Sequence, residues 1–102
     1  MKITFKLNRR QLLIWLNSID LAIGSGLLSD NTLSKMFAAN LISLNQHLTM
    51  ASVIVKQKYS VKANVSDCLA FQFLTETMIL PLSETDQVVI NQIVGIIDQK
   101  TA

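Results

Sequence analysis

The chain has little of what small domains commonly use to fix their shape or to do chemistry. Its 102 residues include one cysteine, one proline, three glycines and one histidine, and only 16% are charged. A lone thiol, Cys68, excludes an intrachain disulfide, so a disulfide scaffold is ruled out and a reducing, cytoplasmic setting is expected. A histidine-based metal site would have to combine His47 with carboxylates, which are sparse and scattered, so neither a metal nor another cofactor is expected. Gly24-Ser25-Gly26 is too short and wrongly placed for a phosphate loop, and no nucleophile elbow occurs. Cys68 falls in the first turn of a helix, where a thiolate is favoured, but its counterpart in the repeat described below is Leu12, which argues for a core position. The best paired-carboxylate candidates, Asp20 and Glu76, read as surface charges. No catalytic residues are assigned, and an enzyme is not expected.

Long apolar runs are also missing. The greasiest window, Leu12 to Leu28, is broken by Asn17, Ser18 and Asp20 and falls short of the roughly 20 apolar residues that a bilayer requires, so no membrane association is expected. Arg9-Arg10 ahead of Leu12-Leu13-Ile14-Trp15-Leu16 faintly resembles a signal peptide, but Asp20 interrupts the run and no clean cleavage site follows. Asn64-Val65-Ser66 matches a glycosylation triplet that matters only in secreted eukaryotic chains. What remains is a greasy chain: 50% hydrophobic, against a charge content well below the roughly 25% of an average soluble domain. One domain spanning 1–102 cannot hide that much apolar surface alone, so a homo-oligomer is the first expectation.

The sequence also repeats itself. Lys2-Ile3-Thr4-Phe5-Lys6-Leu7-Asn8 returns as Lys58-Tyr59-Ser60-Val61-Lys62-Ala63-Asn64, at an offset of 58 − 2 = 56. In both copies lysine and a hydroxyl residue alternate with apolar residues, the period of a strand with one face on a core and one in water. At the same offset Leu13 meets Leu69, Trp15 meets Phe71, Asp20 meets Glu76 and Ile23 meets Ile79. Later the match shifts, since Ser29-Asp30-Asn31-Thr32 and Ser83-Glu84-Thr85-Asp86 align at 54. Repeat units of approximately 1–50 and 57–102 follow.

Between the strands, helical spacing dominates. A first helix after an Asn8 cap presents Leu12, Trp15, Leu16, Ile19, Ala22 and Ile23, and ends at Gly24 and Gly26. A second starts near Asp30 or Asn31 and runs through Leu33, Phe37, Leu41, Leu44 and Leu48; Thr49 to Gln57 is either its tail or the lead-in to the second strand. The third follows a cap at Ser66 or Asp67 and stops before Pro81. The fourth opens with a capping box at Ser83-Glu84-Thr85-Asp86 and presents Val89, Ile90, Ile93, Val94 and Ile97. The expected fold is α+β and predominantly helical: a duplicated β-α-α unit (βααβαα) with a two-stranded ribbon packed on four helices. An antiparallel pair centred on Thr4 and Ser60 would set Lys2 opposite Lys62 and Lys6 opposite Lys58, a costly arrangement that a bound anion would offset.

Charge placement bears on partners. Of nine basic residues, Lys2, Lys6, Arg9, Arg10, Lys56, Lys58 and Lys62 lie in or beside the strands, whereas the seven acids lie elsewhere unless Asp67 counts as a neighbour. Such segregation suits a polyanion, although edge strands also carry lysine to discourage aggregation. A lysine-alternating strand followed by two helices, the second starting at a serine-rich turn, resembles the ribbon-helix-helix DNA-binding fold. That resemblance implies a paired ribbon whose outward side chains read the major groove. Lys2, Thr4, Lys6, Lys58, Ser60 and Lys62 would then face the bases, with Arg9 and Arg10 beside them, and Ile3, Phe5, Leu7, Tyr59, Val61 and Ala63 would face the core. The sequence thus supports two functional expectations. The first is a small non-catalytic interaction module that self-associates and binds a macromolecular partner, a protein or a nucleic acid. The second is a DNA-binding regulator of tandem ribbon-helix-helix type.

Overall fold

Alternation of lysine with apolar residues produces two strands of seven residues, β1 (Lys2–Asn8) and β2 (Lys58–Asn64). The computed structural model describes residues 1–24, 32–77 and 80–102, with 32–36 as backbone only. Each strand leads directly into a helix, α1 (Arg9–Gly24) and α3 (Val65–Thr77), and each of these is followed by a second, α2 (Thr32–Ser52) and α4 (Glu84–Thr101). The fold is therefore α+β and predominantly helical, with one two-stranded antiparallel ribbon. Both strands are buried at alternate positions only, with Ile3, Phe5 and Leu7 of β1 and Tyr59, Val61 and Ala63 of β2 turned inward.

The register differs from the one expected. Phe5 pairs with Val61 at the centre, Lys2 with Asn64, Thr4 with Lys62, Lys6 with Ser60 and Asn8 with Lys58. Relative to a Lys2–Lys62 pairing, β2 has slid by two residues. An even slip leaves the inward set unchanged, because side-chain direction repeats every second residue. It does change the cross-strand partners, so every lysine sits opposite a hydroxyl or an amide and the like-charge cost disappears.

The helices bury the stripes that their spacing marks out. Leu12, Trp15, Ile19 and Ala22 of α1, Leu41, Leu44 and Leu48 of α2, Phe71 and Leu74 of α3, and Val89, Ile90, Ile93 and Ile97 of α4 join the ribbon's inner face in one cluster. Leu16, Ile23, Phe37 and Val94 pack partly buried against it. Each strand touches both the helix that follows it and the second helix of the other half, α4 beside β1 and α2 beside β2. Trp15 lies at the centre, edge to face with Phe5 at 4.8 Å and with Phe71 at 5.8 Å. Its indole Nε1–H has no acceptor among the described residues.

Local chemistry sets the helix ends. Asn8 Oδ1 accepts from the Gln11 backbone N–H at 2.8 Å, and Gln11 Oε1 accepts from the Asn8 N–H at 2.9 Å, a reciprocal capping box at the start of α1. At α4 the Ser83 hydroxyl accepts from the Asp86 N–H at 3.2 Å. The third helix starts earlier than a Ser66 or Asp67 cap would give: it begins at Val65, directly after Asn64. The second ends at Ser52, about 32 Å from its start at 1.5 Å per residue, and residues 53–57 return the chain to β2. The expected cap at Asp30 or Asn31 and the helix stop at Gly26 lie outside the described residues, as does Ile79. No helix among them is long and apolar enough to cross a membrane.

Candidate nucleic-acid interface

The ribbon's outer face carries Lys2, Thr4, Lys6 and Asn8 from β1 and Lys58, Ser60, Lys62 and Asn64 from β2, and all eight are exposed. Their positions follow from strand geometry, because the inward partners anchor each alternate residue in the core and force the others into water. Lys6 Nζ donates to Ser60 Oγ at 3.1 Å across the strands. No carboxylate lies within ion-pair reach of these lysines among the described residues. The result is a positive strip backed by the buried core.

Of the eight residues singled out from sequence, six share this strip and two do not. Arg9 is half-buried, and its Nη1 donates to Tyr59 Oη at 2.7 Å and to the Ser52 carbonyl at 3.2 Å. It therefore ties the end of α2 to β2. Tyr59, 5% exposed, is the hub of that junction: its hydroxyl also accepts from the Lys56 N–H at 2.9 Å and donates to the Ile54 carbonyl at 2.6 Å. Arg10 is exposed on the first turn of α1, past the end of the strip.

Residues the sequence reading passed over complete the surface. Asn8 and Asn64 extend it at both ends, and their recurrence at the period-two position after each second lysine was a visible signal. Lys100, in the last turn of α4, shares a hollow of about 240 Å³ with Lys2 and Thr4 along the outer edge of β1. Only the fold brings it there. Along the outer edge of β2, a cleft of about 440 Å³ combines His47, Lys56 and Lys62 with the apolar Met50, Ile54 and Tyr59.

One acid does approach the strip. Asp67, 6% exposed, accepts from the Ser43 hydroxyl at 3.2 Å and shares a small hollow with Lys2, Lys62 and His47. Ser43, His47 and Asp67 meet there, with the serine hydroxyl donating to the carboxylate. Cys68 is buried, and its thiol pKa is pushed up to about 12, first by burial and then by the neighbouring Asp67 charge, so it remains a protonated core side chain. Asp20 and Glu76 are exposed, and Asp20 accepts from the Asn45 amide. Among the described residues no three metal-binding side chains cluster. No protein family, characterised protein or solved structure matches the chain.

Proposed function

We propose that this chain is a small non-catalytic interaction module whose contact surface is the lysine face of the ribbon and whose partner is duplex DNA, in an arrangement resembling a single-chain ribbon-helix-helix. The observation that carries the reading is a strip of eight exposed side chains, four of them lysine and none acidic, backed by a buried inner face. Lysine donates to guanine O6 and N7, and hydroxyls and amides serve several bases, so the strip offers hydrogen bonds as well as charge. Its strength no longer depends on lysines forced together, since each faces a neutral partner. The helix that would offer its N-terminus to a phosphate, α4, opens with Glu84 and Asp86, so the ribbon and its flanking cations must supply the affinity.

Duplication of a β-α-α unit belongs to the same proposal. Its support is that β2 starts 58 − 2 = 56 residues after β1 and α3 starts 65 − 9 = 56 after α1. Two pairs of residues separated by that same offset also touch each other: Phe5 lies opposite Val61, and Trp15 packs on Phe71. A two-fold axis through the ribbon would produce both contacts.

The test is anisotropy with random-sequence duplex DNA at low and moderate salt, comparing the native chain with a Lys2, Lys6, Lys58, Lys62→Ala variant shown by circular dichroism to remain folded. If about four phosphates are neutralised, log affinity falls with log salt at a slope of roughly −3.6, and the variant loses most of both affinity and slope. Absence of binding at low salt overturns the reading.

Self-association is a second, compatible reading, favoured by Met50, Val53, Ile54 and Val55, each at least 60% exposed around the end of α2. An apolar group of this kind suits a protein contact. Sedimentation equilibrium of the native chain against a Val53, Ile54, Val55→Ser variant tests it: a monomer at all concentrations for the native chain removes the reading.

A further inference from the structure

Among the described residues β1 and β2 pair only with each other, so each strand keeps an outer edge. Pairing runs without interruption from Lys58 to Asn64, which makes β2 a regular strand with no bulge to turn its edge aside. Every second residue of such a strand points its backbone N–H and C=O away from the partner strand. On β2 no other main-chain or side-chain group among the described residues bonds them.

The cleft beside β2 opens onto this edge. Tyr59, Ser60, Val61 and Lys62 all line it, two of them turned to the core and two to water. A hollow on one face of a strand would touch alternate residues, so a run of consecutive ones marks the edge itself. The opposite wall is the end of α2, where His47, Met50 and Ala51 share one helix face and Ile54 follows at the same spacing. Met50 and Ile54 are 75% and 60% exposed, an apolar wall left open to water. His47, Lys56 and Lys62 supply the polar lining, and no carboxylate belongs to it. Asp67 lies in the adjoining hollow, buried and bonded by Ser43. Along the outer edge of β1 the helix residue is instead Lys100, which offers no apolar wall.

We propose that the cleft binds an extended acidic peptide of a partner protein, which adds to β2 as a third strand of the ribbon. Main-chain hydrogen bonds to β2 hold such a peptide, and its side chains are selected by what they meet. The stretch from Tyr59 to Lys62 covers about 14 Å of edge at roughly 3.4 Å per residue. Along it the pleat turns alternate peptide side chains toward α2, where Met50 and Ile54 favour apolar ones. The rest fall beside Ser60 and Lys62, which favour carboxylates. The recognised pattern is therefore an alternation of apolar and acidic residues. A second copy of this chain is the poorer occupant, because both of its strands carry outward lysines that would set like charges side by side. Peptide and DNA would meet different parts of the ribbon, its edge and its outer face, so each can be tested without the other.

The test is fluorescence anisotropy of the full chain with a short labelled peptide of alternating valine and glutamate, acetylated and amidated at its ends. The expected result is saturable binding of one peptide per chain, with hydrogen exchange slowed at alternate amides of β2 and unchanged in β1. Methylating alternate backbone nitrogens of the peptide should weaken binding at least about tenfold in one phase and little in the other, since only every second N–H faces β2. Grouping the valines at one end, or replacing glutamate by lysine, should weaken it as much. So should a Met50, Ile54→Asp variant, which alters exposed side chains and leaves the core intact. Absence of binding at low salt overturns the proposal. Equal binding of the regrouped peptide or of both methylated ones also overturns it, leaving only charge attraction to the lysines. A native dimer that the Met50, Ile54→Asp variant dissolves in sedimentation equilibrium would give the cleft to a second copy and overturn it too.

Discussion

The first half of the chain, through Ser52, and the second, from Lys58, point the same side-chain types from their strands into water and fill the core with different ones. Inside, large side chains meet smaller ones across the ribbon: Phe5 faces Val61, and Ile3 faces Ala63. Trp15 of α1 meets Phe71 of α3. Protein interiors are packed near crystal density, so two halves that share one core are free to differ as long as their volumes complement each other. Outside, no packing rule applies, yet there the halves agree. The contrast shows that a shared core constrains the two halves jointly and leaves each free in identity.

Removing the central aromatic should break the comparison most severely. Trp15→Ala empties the middle of the shared core and is expected to cost about 3–5 kcal/mol in urea denaturation. Trp15→Phe, which makes the pair alike and deletes the indole N–H that lacks an acceptor, should cost less than half as much. Equal losses would show that the N–H has a partner that stabilises the fold.

Next in size is the junction that ties the first half to the second. Tyr59→Phe leaves the Arg9 guanidinium, the Lys56 N–H and the Ile54 carbonyl without their shared hydroxyl and should cost about 1–3 kcal/mol. Hydrogen exchange should show the loss concentrated at residues 53–57 and β2; uniform loosening would contradict a local lock.

Smaller still is the contrast between the two strand ends. Asn8→Ala removes a reciprocal capping box and should cost about 1 kcal/mol. At the start of α3 the corresponding bond, from the Asp67 N–H to the Asn64 side chain, is absent among the described residues, so Asn64→Ala should cost about a few tenths. Equal costs by thermal melting would mean that Asn64 caps α3 as Asn8 caps α1.

The last contrast is silent at neutral pH. Leu12 and Cys68 occupy corresponding places and both are fully buried. In the folded chain the thiol has a pKa of about 12, above its ordinary 9.0. As pH rises past 9 the unfolded chain gains a thiolate that the folded chain does not, so stability is intact below 9 and declines from there toward 12. A Cys68→Ala variant should lose less stability than the native chain between about pH 8 and about pH 10.5. Parallel losses would show that other groups account for the decline.

Much of this was legible in the sequence, for identifiable reasons. Strand limits and inward residues follow from a period of two, and Leu12, Trp15 and Ile19, or Ile90, Ile93 and Ile97, follow from helical spacing, because periodicity encodes which face meets the core. Six of the eight proposed surface residues follow by complement. The Arg9 contacts were not legible because charge alone does not reveal that a guanidinium has a tyrosine hydroxyl and a carbonyl to bind. The register was misread because sliding a strand by two residues leaves the same residues facing inward.

Sequence by itself determined the element types, the faces, the Asn8 and Ser83 caps and the concentration of lysine on the strands, all properties that local spacing sets. The tertiary structure alone decided that Phe5 stands opposite Val61, that lysines face hydroxyls and amides across the ribbon, that Lys100 reaches the outer edge of β1, and that Tyr59 and Arg9 close the α2–β2 junction. Those choices depend on contacts between segments some 50 or more residues apart, where the packing of four helices selects one register among several that the local pattern permits.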